Sequence, residues 1–230
     1  MPELPINDLG IVLAAGGSGR RFSGAGGAKS KLFETLPGDE EPLFLRPIRA
    51  FRGLCPENAF VLVVPEPSAA DFAEALESAG LADGVRIVNG GDARARSVLN
   101  GLRALPESAA FAAVHDAARP FATAEMLLGC LDAARKFGGA VVARRVVDTL
   151  KRADSAGFVE KTVDRSNLWA VETPQIFPRA EIIDAYGSAL SEGILPTDDA
   201  GAMEAAGHRP FLFERSGDNR KITFPEDIKT

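Results

Sequence analysis

Residues 11–31 read IVLAAGGSGRRFSGAGGAKSK, and the order of that stretch decides the fold. An apolar run, Gly10 to Ala14, is short enough to be one buried strand. It breaks into a turn so rich in glycine (Gly16, Gly17, Gly19, Gly24, Gly26, Gly27) that no packed element forms there. Arg20, Arg21, Lys29 and Lys31 are set into the same turn. Glycine lets backbone N–H groups approach a ligand with no Cβ in the way, and successive N–H groups make an anion-binding nest. Arginine and lysine supply the countercharge a polyphosphate needs. A solvated basic surface loop would share this composition. Its place after the first strand favours a phosphate cradle, because α/β proteins bind ligands beyond the carboxyl ends of their strands. The G-x-x-x-x-G-K-[ST] pattern is missing, and Gly17 to Phe22 lacks the last glycine of G-x-G-x-x-G, so neither a P-loop ATPase nor a dinucleotide fold is expected.

Working outward, apolar side chains at mixed three and four spacing predict a helix over Pro42 to Leu54, with Pro47 near its first turn. Ala59 to Val64 is a continuous apolar run, the mark of a strand covered on both faces. Ser68 is expected to cap a helix through Ser78. Further strands are read at Val85 to Val88, Phe111 to His115, Ala140 to Val147 and Phe211 to Glu214. Helices are read at Ala93 to Leu105, Thr123 to Phe137 and Ala180 to Glu192, with another opened by Thr197-Asp198-Asp199. The alternation predicts an α/β fold, a mostly parallel sheet with helices on both faces. Lys151 to Leu168 breaks the rhythm. It is polar, centred on Ser155-Ala156-Gly157, with strand-like flanks at Val147 to Lys151 and Phe158 to Val163. It reads as a protruding β-hairpin arm, at about 147–168, that packs on a partner. No linker or repeat divides the chain, so 1–230 is read as a single domain. Pro225-Glu226-Asp227 opens a helix just as the sequence stops, which predicts a sequence cut short.

Composition narrows the function. The 230 residues carry 46% apolar side chains and a net charge of −6, enough for one good core and the wrong sign for a nucleic-acid binder. Cys55 and Cys130 stand apart in apolar surroundings and read as buried reduced thiols. The lone histidines, His115 and His208, form no metal cluster with them. No signal peptide and no run near the ~20 apolar residues of a membrane span is present. A cytoplasmic protein is expected, with no nucleic-acid or membrane partner.

Beyond the glycine turn, four clusters carry chemistry. Gly90-Gly91-Asp92-Ala93-Arg94-Ala95-Arg96-Ser97 again leads from a strand into a helix, where small residues let a planar base lie on the backbone and Ser97 can reach its edge. Helix capping by Asp92 is compatible with that. Val114-His115-Asp116-Ala117-Ala118-Arg119-Pro120 ends a buried strand on a carboxylate, which is costly without a cation. The partner is either Mg²⁺ with its phosphates or Arg119 in an ion pair; His115 reads as structural. Arg165, Trp169 and Glu172-Thr173-Pro174-Gln175-Ile176-Phe177 follow, and a guanidinium plus a hydroxyl suits a phosphomonoester. Last comes Gly217-Asp218-Asn219-Arg220-Lys221-Ile222-Thr223, whose lysine on its own reads equally well as a solvated charge.

Taken in order, LAAGGSGRRF with Ser30-Lys31, GGDARARSV, VHDAARPF, Asp148-Thr149, TVDRSNLW, ETPQIF, PTDD and GDNRKIT resemble the cytidylyltransferases of the non-mevalonate isoprenoid pathway over essentially the whole chain. The resemblance implies a Rossmann-like nucleotidyltransferase fold, a homodimer with exchanged arms, CTP and a polyol phosphate as substrates, Mg²⁺ as cofactor, and release of pyrophosphate. It implies that Ala14, Ala15, Gly16, Gly19 and Arg21, with Arg20 beside them, hold the triphosphate. Lys31 and Lys221 would neutralise the α-phosphate, Gly91, Asp92 and Ser97 select cytosine, Ala117 meet the ribose and Asp116 organise the metal. Thr149, Arg165, Thr173, Thr197 and Arg119 would bind methylerythritol phosphate. The chain departs from the family's commoner spelling at Gly16-Gly17-Ser18-Gly19, around Lys31, and at Glu172, which leaves Lys29 or Lys31 as the loop lysine. Ribitol 5-phosphate is the alternative acceptor, and a nucleotide sensor without turnover the alternative class.

Overall fold

In the computed structural model, which describes residues 4–16 and 30–229, the opening run is β1 (Leu9–Ala14), buried up to its last residue. On one side it lies parallel to β2 (Phe60–Val64), buried throughout, and β2 lies parallel to β3 (Arg86–Asn89). On its other side runs β4 (Phe111–Asp116), also parallel, with Ala14 beside Asp116. The chain therefore runs outward from β1 and then returns past it. That reversal makes the carboxyl ends of β1 and β4 the switch point where such sheets bind ligands.

Period-2 alternation splits β1 between two cores. Leu9, Ile11 and Leu13 join Phe44, Phe51, Phe72 and Leu127 on the face covered by α1 (Leu45–Phe51), α2 (Ala69–Ser78) and α4 (Ala124–Phe137). Val12 joins Val63, Leu102, Tyr186 and Met203 on the opposite face, under α3 (Arg94–Ala104), α5 (Arg179–Ser191) and α6 (Asp199–Ala205). Helix α3 lies so close to the sheet that a Cβ on Gly101 would stand 2.6 Å from both Val12 and Val63. Pro47 falls in the first turn of α1, where its missing N–H costs least.

The sheet differs from the expected parallel one at a single strand. Its order is β3-β2-β1-β4-β8-β5-β9, and β8 (Trp169–Pro178) runs antiparallel to both β4 and β5 (Ala140–Arg145). The outer strand β9 (Phe211–Glu214) is again parallel to β5. Pro174 in mid-strand has no N–H for the ladder, and the β5–β8 register shifts between Val141 and Ala143 opposite it. The hairpin arm is present as a separate ribbon of β6 (Lys151–Ala153) and β7 (Val159–Thr162). Its first strand starts at Lys151 rather than Val147, because the carbonyl of Val147 is taken by the Arg165 guanidinium instead of a strand neighbour. The carboxylate of Asp154 closes the turn by accepting the N–H groups of Ala156 and Phe158, each at 2.9 Å. Two local details also differ from expectation: Ser68 ends a 3₁₀ turn and its hydroxyl bonds nothing in α2, and Pro225–Ile228 is a 3₁₀ turn rather than an α-helix.

Candidate active site

Asp116 ends β4 at the switch point. Its Oδ2 accepts a hydrogen bond from Lys221 Nζ at 2.6 Å, and its Oδ1 one from Arg94 Nη2 at 3.3 Å. Arg94 opens α3 and forks onto Asp199, both contacts at 3.1 Å. Burial by itself would push the Asp116 carboxyl up. Arg94, Lys221 and Arg119 outweigh it and hold the group ionised, well below the usual carboxylate range. Of the two partners weighed for Asp116, an Arg119 ion pair is not what forms: Arg94 and Lys221 hold Asp116, while Arg119 Nη1 donates to the carbonyl of Asn219 at 2.7 Å and lies 3.8 Å from Glu172.

The described end of the glycine turn lies beside this cluster. The Ala15 N–H donates to Val63 O, and the Ala117 N–H to Ala14 O. A Cβ on Gly16 would stand 3.1 Å from Ser97 Oγ, and one on Gly90 2.7 Å from it, so both glycines leave room for that hydroxyl. Ser97 itself is buried. Its hydroxyl accepts from Gly91 N–H and donates to Ala93 O, each at 3.0 Å. It therefore shapes the turn. Asp92 points outward, clasped by Arg96 at 2.7 Å, and Ala93 rather than Asp92 stands at the N-cap of α3. Gly19, Arg20, Arg21 and Lys29 lie outside the described residues. Lys31 does not: its Nζ donates to Ile222 O at 2.6 Å, which sets it beside Lys221.

Thr173, expected to touch substrate, is buried in β8. Its Oγ1 accepts from the Asp116 N–H at 3.0 Å and sits 3.1 Å from His115 Nδ1. His115 Nε2 faces the Arg119 carbonyl at 3.2 Å, which only an Nε2–H can satisfy, so Nδ1 takes the Thr173 proton. Thr173 thus fixes the end of β4 from behind. Burial holds His115 neutral and pushes its pKa down to about 4. As pH falls, the unfolded chain then binds this proton first. Stability tied to His115 is full above about pH 6.5, the unfolded value, and is lost as pH falls toward 4. Thermal melts should show Tm declining through that window, and His115→Gln should flatten the decline; an identical slope in the variant would remove His115 as its source.

Thr149, Arg165 and Thr197 are exposed. Arg165 lies where the arm returns, and Thr197 just before α6, whose first turn is tied to β8 because Gln175 accepts from Ala200 N–H and donates to Asp198. Sequence reading assigned no role to Arg94, Asp199 or Tyr186. It saw Glu172 only as a departure. In the structure Glu172 is a buried hub, forked by Arg215 at 2.7 and 3.1 Å and bonded by Asn219 Nδ2 at 2.8 Å. A carboxylate between apolar Val171 and the Ile176-Phe177 pair was the available signal, since burial demands such partners. Among the described residues no set of three or more His, Cys, Asp or Glu gathers to hold a metal. The donor set around Asp116 fits a Mg²⁺ carried on substrate phosphates with one carboxylate near it, and not an all-protein cage.

The sequence and the fold are matched by known proteins. Residues 9–230 match the family model described as 2-C-methyl-D-erythritol 4-phosphate cytidylyltransferase. The chain belongs to that family. A member from Geobacillus thermodenitrificans is 40% identical over 223 residues, covering 97% of this chain and 94% of the relative. One from Symbiobacterium thermophilum is 39% identical, covering 99% and 91%. The crystal structure of the Thermus thermophilus cytidylyltransferase superposes with a TM-score of 0.75 at 26% identity, covering 96% and 95%. That of the Anaerococcus prevotii synthase, at 24% identity and a TM-score of 0.79, shares the fold over 96% of this chain. The cytidylyltransferase fold thus places Lys31, Lys221, Asp116 and the Gly90–Ser97 turn at one end of one sheet.

Proposed function

We propose that the chain transfers the cytidylyl group of CTP to 2-C-methyl-D-erythritol 4-phosphate, releasing pyrophosphate. The observation that carries this reading is the convergence of Lys31 and Lys221 at the switch point, joined through Ile222 and Asp116. A phosphate dianion is already a nucleophile. One of its oxygens forms the new bond to the α-phosphorus while the bond from that phosphorus to the bridging oxygen breaks, and that oxygen leaves on pyrophosphate with its electron pair. No general base is required, which agrees with a His115 held neutral inside the core. What the protein supplies is position and charge, with the lysines at the α-phosphate. Mg²⁺, when bound with the nucleotide, would neutralise phosphate charge, with Asp116 as the carboxylate beside it.

Arg165, Thr149, Thr197 and Arg119 form the acceptor side in this reading, and the arm belongs to a homodimer. The arm's support is its own exposure. Phe158 is 74% and Val159 62% exposed on a two-stranded ribbon, which is marginal in water by itself. Cytoplasmic placement agrees with Cys55 and Cys130 being free, buried thiols that burial pushes up, Cys55 to about 12. No helix among the described residues is long and apolar enough to cross a membrane.

The test is to incubate the protein with CTP, Mg²⁺ and either methylerythritol phosphate or ribitol 5-phosphate and to follow pyrophosphate. Release with the first and little with the second is expected; the reverse gives the site to the ribitol substrate, and none with either refutes turnover. Arg165→Ala should raise the KM for the polyol phosphate about tenfold or more, since each charge-assisted bond contributes ~1.5–3 kcal/mol and a decade is ~1.4 kcal/mol. CTP binding alone should barely move. Loss of CTP binding with the polyol phosphate spared would reverse the assignment of the two sides.

A further inference from the structure

The cations at the switch point belong to a longer chain of polar groups that runs inward from Lys221. Lys221 Nζ bonds Asp116 Oδ2, Arg94 Nη2 bonds Asp116 Oδ1, the Arg94 fork closes on Asp199, and the Tyr186 hydroxyl donates to Asp199 Oδ1 at 2.5 Å. Its two ends differ in exposure: Tyr186 and the Asp199 side chain are at 0%, Arg94 and Asp116 between them and the far end are at 28% and 12%, and Lys221 is at 40%. The inner members cannot touch a substrate, and the outer one can.

The signs alternate as well. Lys221 and Arg94 balance Asp116 and Asp199, and the tyrosine is neutral, so the chain closes with no net charge. Buried ion pairs are weak contributors to stability, because desolvation offsets most of their attraction. A chain of four charges ending at an exposed lysine is therefore poorly explained as a staple alone. Arg94 is the element that could adopt a second arrangement. A guanidinium facing one carboxylate prefers to fork onto both its oxygens. Asp199 already takes that fork, so Arg94 offers Asp116 a single N–H on Oδ1, and Oδ2 is left for Lys221.

We propose that Asp199, steadied by the Tyr186 hydroxyl, is a positioning residue for the cytidylyl transfer. By occupying the Arg94 fork it reserves Asp116 Oδ2 for Lys221 and so sets where Lys221 waits for the α-phosphate. Without the Asp199 charge, Arg94 turns its fork onto Asp116 and displaces Lys221. The helix that carries Asp199 is itself held, since Asp198 accepts the Gly201 N–H at 2.9 Å and Gln175 accepts the Ala200 N–H at 2.7 Å. Asp199 is thus placed independently of the pair it controls.

The inference rests on the cytidylyl-transfer reading, and its test separates the two. Turnover by the unaltered protein, measured first, decides that reading by itself. Asp199→Asn, which keeps the shape and removes the charge, should then lose about tenfold or more in kcat with the KM for CTP little changed, the size of coupling between groups in one network. Tyr186→Phe should show a smaller loss in the same direction. The deciding measurement is a double-mutant cycle: in a Lys221→Ala background Asp199→Asn should cost little more. A purely structural role predicts that the two losses multiply, and full multiplication overturns the proposal, as does an unchanged kcat in folded Asp199→Asn. Should Asp199→Asn fail to fold, the cycle is run with Tyr186→Phe, and multiplication there overturns it equally.

Discussion

Replacing Lys221 with alanine should lower kcat by about 100-fold or more while the KM for CTP moves little, on the scale of losing one donor aimed at developing charge. Lys221 waits on Asp116 Oδ2 at 2.6 Å, on a side chain 40% exposed, so it is held yet able to reach outward. Charge grows on the oxygens around the α-phosphorus only as the incoming phosphate adds and pyrophosphate departs. An ammonium there gains most in the transition state, and its removal appears in kcat rather than in KM. Lys31 is seated next door through Ile222 O. Its alanine variant should show the same pattern, and an unchanged kcat there would move the role to Lys29. A Lys221→Ala enzyme with normal kcat and a raised KM would make Lys221 a ground-state binding group only.

How much of this site was legible follows from the distance between partners in sequence. The strands β1 and β2 were readable because continuous apolar runs can be satisfied only by burial on both faces. Asp116 was readable for the opposite reason, a carboxylate at the end of such a run. What Asp116 binds was not, since Lys221 and the Asp199 partner of Arg94 each lie 105 positions from the residue they hold. Strand β8 escaped notice because Pro174 breaks its pattern and because Glu172, Thr173 and Gln175 are buried polar groups. Their bonds go to Arg215, to Asp116 with His115, and to Asp198 with Ala200, on elements that no local periodicity connects to β8. The Gly90–Ser97 turn lies between β3 and α3, where the sequence puts it, whereas the bonds of the Ser97 hydroxyl to Gly91 and Ala93 show only in the folded turn. Local chemistry names the residues worth watching; the topology decides which of them meet.

Asp116→Asn should carry the largest loss of stability among the site variants. The amide is nearly isosteric, so the change removes charge and leaves the packing. One amide oxygen is left to accept, so Arg94 and Lys221 cannot both keep their bonds, and neither faces a charge there. Breaking a buried pair by removing one partner costs about 3–5 kcal/mol. At roughly 2–4 °C per kcal/mol for a chain of this size, Tm should fall on the order of 10 °C. Turnover should fall with it, since the lysine is no longer poised. The pH dependence gives an independent check. The folded-state carboxyl is held below its ordinary value despite burial, because Arg94, Lys221 and Arg119 outweigh the desolvation that would raise it. A depressed value means that its contribution is full above the unfolded pKa of about 3.9 and is lost as pH falls through the folded one. The gap in Tm between the parent protein and Asp116→Asn should therefore stay constant from neutral pH down to about 5 and begin to narrow below about 4. Equal melting temperatures at pH 7 would show that the Arg94–Asp116–Lys221 contacts contribute nothing net, and a gap that widens in acid would mean that the carboxyl is not the group held ionised.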